Sequence, residues 1–328
     1  TFPFPEKPVF GNQAPLDFDV SVKDIYCAWK LGGTVQVIPK KLFSMPAKLV
    51  PYLNDHHVNV IVWAVSAMRI VSDYKIFELY IPEFLKLVMF SGEVMPVKAL
   101  NDWMDHLPEA KFVNLYGPTE ITCNCTYYCV EKRFSNDQVL PIGKAFRNTS
   151  VFLLDEDGRR VEKARTGVIG EICVRGTCLA LGYYHNEEKT KEAFVQNPLN
   201  KDYPEYIYRT GDLGYYDKEG NLFFASRKDF QIKHMGHRIE LGEIEVAVNA
   251  LDFIDVGCCI FDEKREKIVL CYQSKEACDK QIVRELARVL PKFMWPQKFK
   301  HFEQLPMNKN SKLDRVLLKE ICCKEGAE

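Results

Sequence analysis

The apolar run Phe112-Val113-Asn114-Leu115-Tyr116 stops at Gly117-Pro118, and a hydroxyl and a carboxylate, Thr119 and Glu120, follow at once. A strand end that opens into a tight turn is where α/β proteins place ligands. A hydroxyl beside a carboxylate suits a phosphate and its magnesium ion. A plain strand–turn junction accounts for the same residues, and this stretch alone does not separate the two readings. Three cysteines come next, Cys123, Cys125 and Cys129. Their spacing has a metal-like look, but no second Cys-x-x-Cys or histidine pair completes four ligands. The adjacent pairs Cys258-Cys259 and Cys322-Cys323 are poorly placed to bridge each other. The cysteines therefore read as buried free thiols of a reducing cytosol.

Recognisable elements surround this stretch. Over residues 21–33 the pattern predicts a helix, with Ser21 as N-cap and Asp24 three residues on, as in a capping box. Val22, Ile25, Tyr26 and Trp29 form its apolar face, and Gly32-Gly33 end it. Lys23 lies off that stripe, where a solvated lysine competes with a cation turned into a pocket. "TVQVIP" reads as a strand that stops at Pro39, "VNVIVWAV" (58–65) as a buried strand and "FLKLVMFSGE" (84–93) as another, with helix-like stretches between. Strands alternating with helices imply an α/β layer with a mostly parallel sheet covered on both faces.

After Pro141 the texture changes. "VFLLDEDGRR" and "GVIGEICVRG" give short strands separated by turns, and "YIYRTGDLGYYDKEGNLFFASRKD" (206–229) continues them through a hairpin turn at Lys218-Glu219-Gly220. From Phe230 a third unit follows, with the helices "LGEIEVAVNAL" and "DKQIVRELARVL" and strands around 256–261 and 267–273. The expected organisation is thus a partial α/β part (1–140), a small antiparallel β sub-domain (141–229) and a separate α+β C-terminal domain (230–328). The chain of 328 residues is long enough for more than one core. A formal net charge of −1 leaves no basic excess for a nucleic-acid partner. The longest apolar run, "VNVIVWAVSAM", is too short for a transmembrane segment, and no basic-then-apolar leader is visible, so a cytoplasmic location is expected.

Five stretches, taken in order, carry a resemblance: "NLYGPTE", "GEICVRGTCLALGYY" (170–184), "YRTGDL" (208–213), "SRKDFQIKHMGHRIELGEIE" (226–245) and "LPMNKNSKLDR" (305–315). They resemble the core motifs of the adenylate-forming enzyme superfamily. Within it they are similar to the amino-acid adenylation domains of nonribosomal peptide synthetases and to the D-alanine–carrier protein ligases. Such enzymes carry a Gly/Ser/Thr-rich phosphate loop ending in Pro-Lys-Gly upstream of "FDVSV". These residues contain no such loop, so the chain is expected to be the C-terminal part of an adenylation enzyme with most of its first half missing. No carrier-domain "GGxS" follows, as expected of a stand-alone enzyme.

The resemblance implies ATP-dependent activation of an amino acid, D-alanine or another, followed by transfer to the phosphopantetheine thiol of a carrier protein. It implies that Tyr116 stacks on adenine, with Gly117 beside it, that Thr119 bonds a phosphate oxygen and that Glu120 helps hold Mg²⁺. Asp212 would accept both ribose hydroxyls, since one carboxylate has two acceptor oxygens for a vicinal diol. Arg227 and Lys233 would serve the nucleotide. Lys312, where Ser311 replaces the usual glycine, would bridge substrate carboxylate and α-phosphate. Asp19 would pair with the α-ammonium, because a buried carboxylate needs such a partner. An ordinary acid ahead of a helix is its alternative. Val20, Lys23, Val62, Met89, Ser91, Gly92, Leu115, Cys123 and Asn124 would line the substrate pocket. Asp229 would be a hinge about which the C-terminal domain turns, exchanging the Lys312 face for a thiolation face with Gly236, His237 and Arg238. An acyl-CoA synthetase, disfavoured by Asp19, and a non-catalytic fragment, favoured by the missing loop, are the alternatives.

Overall fold

Val60–Ala64 and Leu87–Ser91 are nearly continuous apolar runs, as strands covered on both faces must be, and they lie at the centre of a seven-stranded sheet. The computed structural model describes residues 2–228, 231–234, 237–308 and 312–324. Their contacts divide the chain into one unit of residues 1–95, 99–134 and 140–224, and a second of 96–98, 135–139 and 225–328.

In the first unit the elements run β1 (Val9–Asn12), α1 (Ser21–Leu31), β2 (Thr34–Val37), α2 (Pro46–Asp55), β3 (Val60–Ala64), α3 (Val65–Asp73), β4 (Leu87–Ser91), α4 (Val97–His106) and β5 (Lys111–Tyr116). Strands β6 (Thr126–Val130) and β7 (Lys144–Ala145) follow. The sheet order is β2-β1-β3-β4-β5-β6-β7, parallel from β2 to β5 and antiparallel from β5 to β7. Phe10, Val60, Val62, Leu87, Met89, Val113 and Leu115 form one core cluster with Ala28 of α1. A second, antiparallel sheet holds β8 (Thr149–Leu154), β9 (Arg160–Val161), β10 (Gly170–Gly176), β11 (Phe194–Gln196) and β12 (Tyr206–Tyr216), in the order β11-β12-β10-β8-β9. Helix α5 (Glu187–Ala193) precedes β11, and β13 (Leu222–Arg227) pairs with β12. The turn between β12 and β13 holds Lys218-Glu219-Gly220, as expected, and closes through Asp217 and Asn221.

Helix α1 departs from the sequence reading. Ser21 is its first residue and not its cap: the hydroxyl donates back to the Phe18 carbonyl at 2.8 Å. Asp24 closes no capping box; its Oδ2 accepts from Asn12 Nδ2 at 2.9 Å in β1. The helix buries Ser21, Asp24 and Ala28, whereas Val22, Tyr26 and Trp29 of the apolar stripe are exposed. The small residues fit against the sheet and the polar Asn12–Asp24 pair anchors them, so close approach decides the face. The end of the helix is as read: Gly32 adopts φ 62, the left-handed conformation glycine takes without a Cβ penalty.

The second unit contains the paired strands β14 (Gln231–His234) and β15 (His237–Glu240), then α6 (Leu241–Asn249), β16 (Val256–Asp262), β17 (Lys267–Gln273), α7 (Asp279–Val289), β18 (Lys298–Phe302) and α8 (Arg315–Lys324). In the β16-β17-β18 sheet, successive side chains point to opposite faces. Cys259, Ile268 and Leu270 pack with Ile244 and Val248 of α6 and Ile282 and Leu286 of α7. Cys258, Val269 and Cys271 pack with Leu318 and Cys322 of α8. Adjacent strand positions thus send the Cys258 and Cys259 thiols to opposite faces, and both are free.

Candidate active site

Strand β5 is buried from Phe112 to Leu115 and ends at Tyr116. Gly117-Pro118 then lead into a single 3₁₀ turn, Thr119–Ile121. A Cβ on Gly117 would lie 2.5 Å from Asn124 Cα and 2.8 Å from the Cys125 nitrogen, so only glycine lets the returning chain pass this closely. The turn is pinned from both sides: the Cys125 N–H donates to the Tyr116 carbonyl at 2.8 Å, and the Ala180 N–H to the Glu120 carbonyl at 2.8 Å.

Two acidic groups are held at this strand end. The Tyr116 hydroxyl donates to Asp212 Oδ2 at 2.5 Å. Asp212 is buried in β12, and its N–H donates to Thr210 Oγ1 at 3.0 Å, which in turn donates to the Ile172 carbonyl at 2.8 Å. Burial, then the Asp212 charge, pushes the Tyr116 phenol well above its ordinary range, so it stays a donor. Glu120 Oε1 accepts from the Tyr183 hydroxyl at 2.6 Å, and the Tyr183 and Tyr208 hydroxyls lie 3.4 Å apart. Burial and the Tyr183 hydrogen bond, with Glu120 adding to them, raise Tyr208 as well. Thr119 is exposed beside Glu120. Sequence reasoning did not single out Tyr183 or Tyr208, although both stand in quoted motifs, "ALGYY" and "YRTGDL". A phenol shows no chemistry in sequence until the carboxylate it holds is in view.

A second group forms at the N-terminus of α1. Lys23 turns inward and donates to Asn124 Oδ1 at 2.5 Å, so it is not a freely solvated lysine. Loss of water drives its pKa down, while Cys123, Asp24 and Asp19 oppose that drop. Half-buried Asp19 accepts at its carbonyl from the Cys123 thiol at 2.9 Å. Asp24 is fully buried; burial raises its carboxyl to about 7 against the Asn12 hydrogen bond, and its Oδ1 has no hydrogen-bond partner. Val62, Met89, Ser91, Leu115 and Cys123 are all at most 5% exposed, so these expected pocket residues sit in or against the sheet core. Val20 is half-buried and Gly92 exposed. The first unit therefore assembles Tyr116, Glu120 and Asp212, and brings Lys23, Cys123 and Asn124 together beside Asp19.

The other expected site residues belong to the second unit. Arg227 is half-buried at the end of β13. Lys233 in β14 is in register with Arg238 in β15, as is His234 with His237. Lys312 is half-buried, its N–H donating to Asn308 Oδ1 at 3.1 Å and its carbonyl accepting from the Asn308 N–H at 2.7 Å. Asp229, expected as the hinge, Gly236 and Ser311 lie outside the described residues. Among the described residues no three metal-ligating side chains gather, and no helix is long and apolar enough to cross a membrane.

A strand end that opens into a tight turn, here with carboxylates beside it, is where α/β proteins place ligands. Residues 1–184 match the family model of the AMP-binding enzymes, and the chain belongs to that family. It is 34% identical to a D-alanine–D-alanyl carrier protein ligase of Bacillus licheniformis over 97% of this chain and 64% of that protein. It is 30% identical to tyrocidine synthase 1 of Brevibacillus parabrevis over 98% of this chain and 28% of that one. Among solved structures, a four-domain nonribosomal peptide synthetase bound to AMP and glycine matches with a TM-score of 0.81 and 28% identity, covering 95% of this chain and 23% of that one. The chain thus spans a little under two thirds of the carrier protein ligase it matches.

Proposed function

We propose that the protein activates an amino acid with ATP as its aminoacyl-adenylate and passes the aminoacyl group to the phosphopantetheine thiol of a carrier protein. In the first step a substrate carboxylate oxygen forms a bond to the α-phosphorus and pyrophosphate leaves. In the second, the thiol sulfur bonds to the acyl carbon and AMP leaves. Both steps develop negative charge that fixed dipoles and cations offset.

The observation that carries this reading is the paired arrangement at the end of β5, with Tyr116 fastened to Asp212 and Glu120 fastened to Tyr183. A tyrosine ring tied at its hydroxyl offers a fixed face to adenine. Asp212 keeps acceptor capacity for the ribose diol. Thr119 donates to a phosphate oxygen, with Gly117 keeping the turn narrow. One carboxylate beside an exposed hydroxyl suits Mg²⁺, which takes one or two carboxylates and fills its other positions with water and phosphate oxygens. When bound, Mg²⁺ supplies positive charge to the nucleotide phosphates; Glu120 is the residue that holds it. Lys312 offsets charge as the first bond forms, Arg227 and Lys233 serve the nucleotide, and Asp229 is the hinge before the thiolation face of Gly236, His237 and Arg238. The three-part division at 141 and 230 belongs to the same reading. D-alanine and other small amino acids are the substrate candidates, supported by the relatives' names.

Asp19 tests the substrate class. Removing it leaves the substrate ammonium without its half-buried carboxylate partner, which costs about 3 kcal/mol. Asp19→Ala is therefore expected to reduce activation of the amino acid at least a hundredfold, mainly through KM, and to favour the same acid lacking its amino group. The ratio of the two in ATP–pyrophosphate exchange is the measurement. An unchanged ratio removes Asp19 from the site and restores the acyl-CoA synthetase reading.

A further inference from the structure

The residues on either side of Lys312 are tied at every described step. Met307 bridges Leu313, Asn308 and Lys312 close on each other, and the Asp314 N–H donates to the Pro306 carbonyl at 2.9 Å. Asp314 then stands immediately before α8 and accepts from the Leu317 N–H at 3.0 Å, as an N-cap does. These bonds hold the described residues on either side of Lys312 to one another but leave open how they are aimed. Arg315 supplies the missing tie. Its two terminal nitrogens donate to the two carboxylate oxygens of Glu245, each at 2.7 Å. Glu245 lies on α6, and its Oε1 also accepts from the Cys259 N–H of β16 at 2.7 Å. The two side chains are 29% and 16% exposed, so water competes little for the pair. A fork-to-fork contact sets direction as well as distance, and three elements, α6, β16 and α8, meet in it.

We propose that Arg315, held by Glu245, is a positioning residue for Lys312. It aims Lys312 by welding the residues that follow it to the "RIELGEIE" helix. The proposal rests on the reading that Lys312 serves the adenylation step. A rigid weld matters there because a misplacement of about 1 Å is enough to cost on the order of a hundredfold in rate. Methionine can fill the space of Arg315 but cannot make the fork, and lysine offers one point charge in place of two aligned donors.

The test uses the full-length gene product and four forms: parent, Lys312→Ala, Arg315→Met and the double variant. Adenylation is followed by pyrophosphate exchange, and thioester transfer is followed separately from pre-formed adenylate. Arg315→Met should lower adenylation kcat about ten- to a hundredfold, with KM for ATP and thioester transfer changed less than about threefold. Hydrogen exchange of the amides of 307–308 and 312–314 should accelerate while those of β16 and β17 stay protected. In the double variant Arg315→Met should cost little beyond Lys312→Ala, because one residue acts through the other. Additive losses, or equal losses in both half-reactions with protection lost throughout the sheet, overturn the positioning role. A Lys312→Ala form that adenylates normally overturns instead the reading on which it rests.

Discussion

Asp24 is the residue whose surroundings disagree most with its charge. Its carboxyl is raised from 3.8 to about 7 by burial, and Oδ1 finds no donor. Between pH 4 and 7 the folded chain keeps a proton that the unfolded chain has lost. This group's contribution to stability therefore falls as pH rises through that window and levels off above it, by about 4 kcal/mol for the gap between those values. Asp24→Asn should remove that dependence. In urea unfolding the variant should gain on the parent at pH 8 relative to pH 4.5, and other titrating groups cancel in the comparison. The same gain at both pH values would contradict the assignment. Lys23, one residue earlier, was ambiguous in sequence because a stripe rule says only which side is apolar. Its inward turn depends on Asn124, a residue 101 positions away. Asp212 and Glu120 stood out in sequence because motif and turn chemistry mark carboxylates, whereas Tyr183 and Tyr208 did not, since their hydroxyls meet each other and Glu120 only in the fold.

Among the elements, β5 and its turn carry the candidate site. The buried run ending at Gly-Pro was readable because period and turn residues agree, and the strands β3 and β4 were readable for the same reason. Helix α1 was readable in extent but not in orientation. The rule that an apolar stripe faces the core gives way where small residues and the Asn12–Asp24 hydrogen bond set the contact. Two glycines separate local stability from site shape. Gly117→Ala places a methyl against the 124–125 backbone, so the turn must shift; AMP affinity should fall at least tenfold, and stability by about 1–3 kcal/mol. Gly32→Ala meets no neighbour within 4 Å but keeps φ 62, so it should cost about 1 kcal/mol of stability and leave AMP affinity intact. Calorimetric AMP titration beside urea unfolding distinguishes them, and equal affinity losses would show that the turn does not shape the site.

At the scale of the whole molecule, the alternation of strands and helices was enough to read a mostly parallel sheet, the switch to short strands after Pro141 an antiparallel one, and the C-terminal texture an α+β unit. The strand order β2-β1-β3-β4-β5 was not legible, because a single sequence does not encode which parallel neighbours meet. The proposed activity is adenylation of an amino acid. The most direct measurement is ATP–pyrophosphate exchange by the full-length gene product across D- and L-amino acids, with fatty and aryl acids plus coenzyme A as the comparison. Exchange should depend on an amino acid and Mg²⁺ and fall about a hundredfold or more in Lys312→Ala. Exchange driven by a fatty or aryl acid, with no amino acid raising it above background, would contradict the proposed activity.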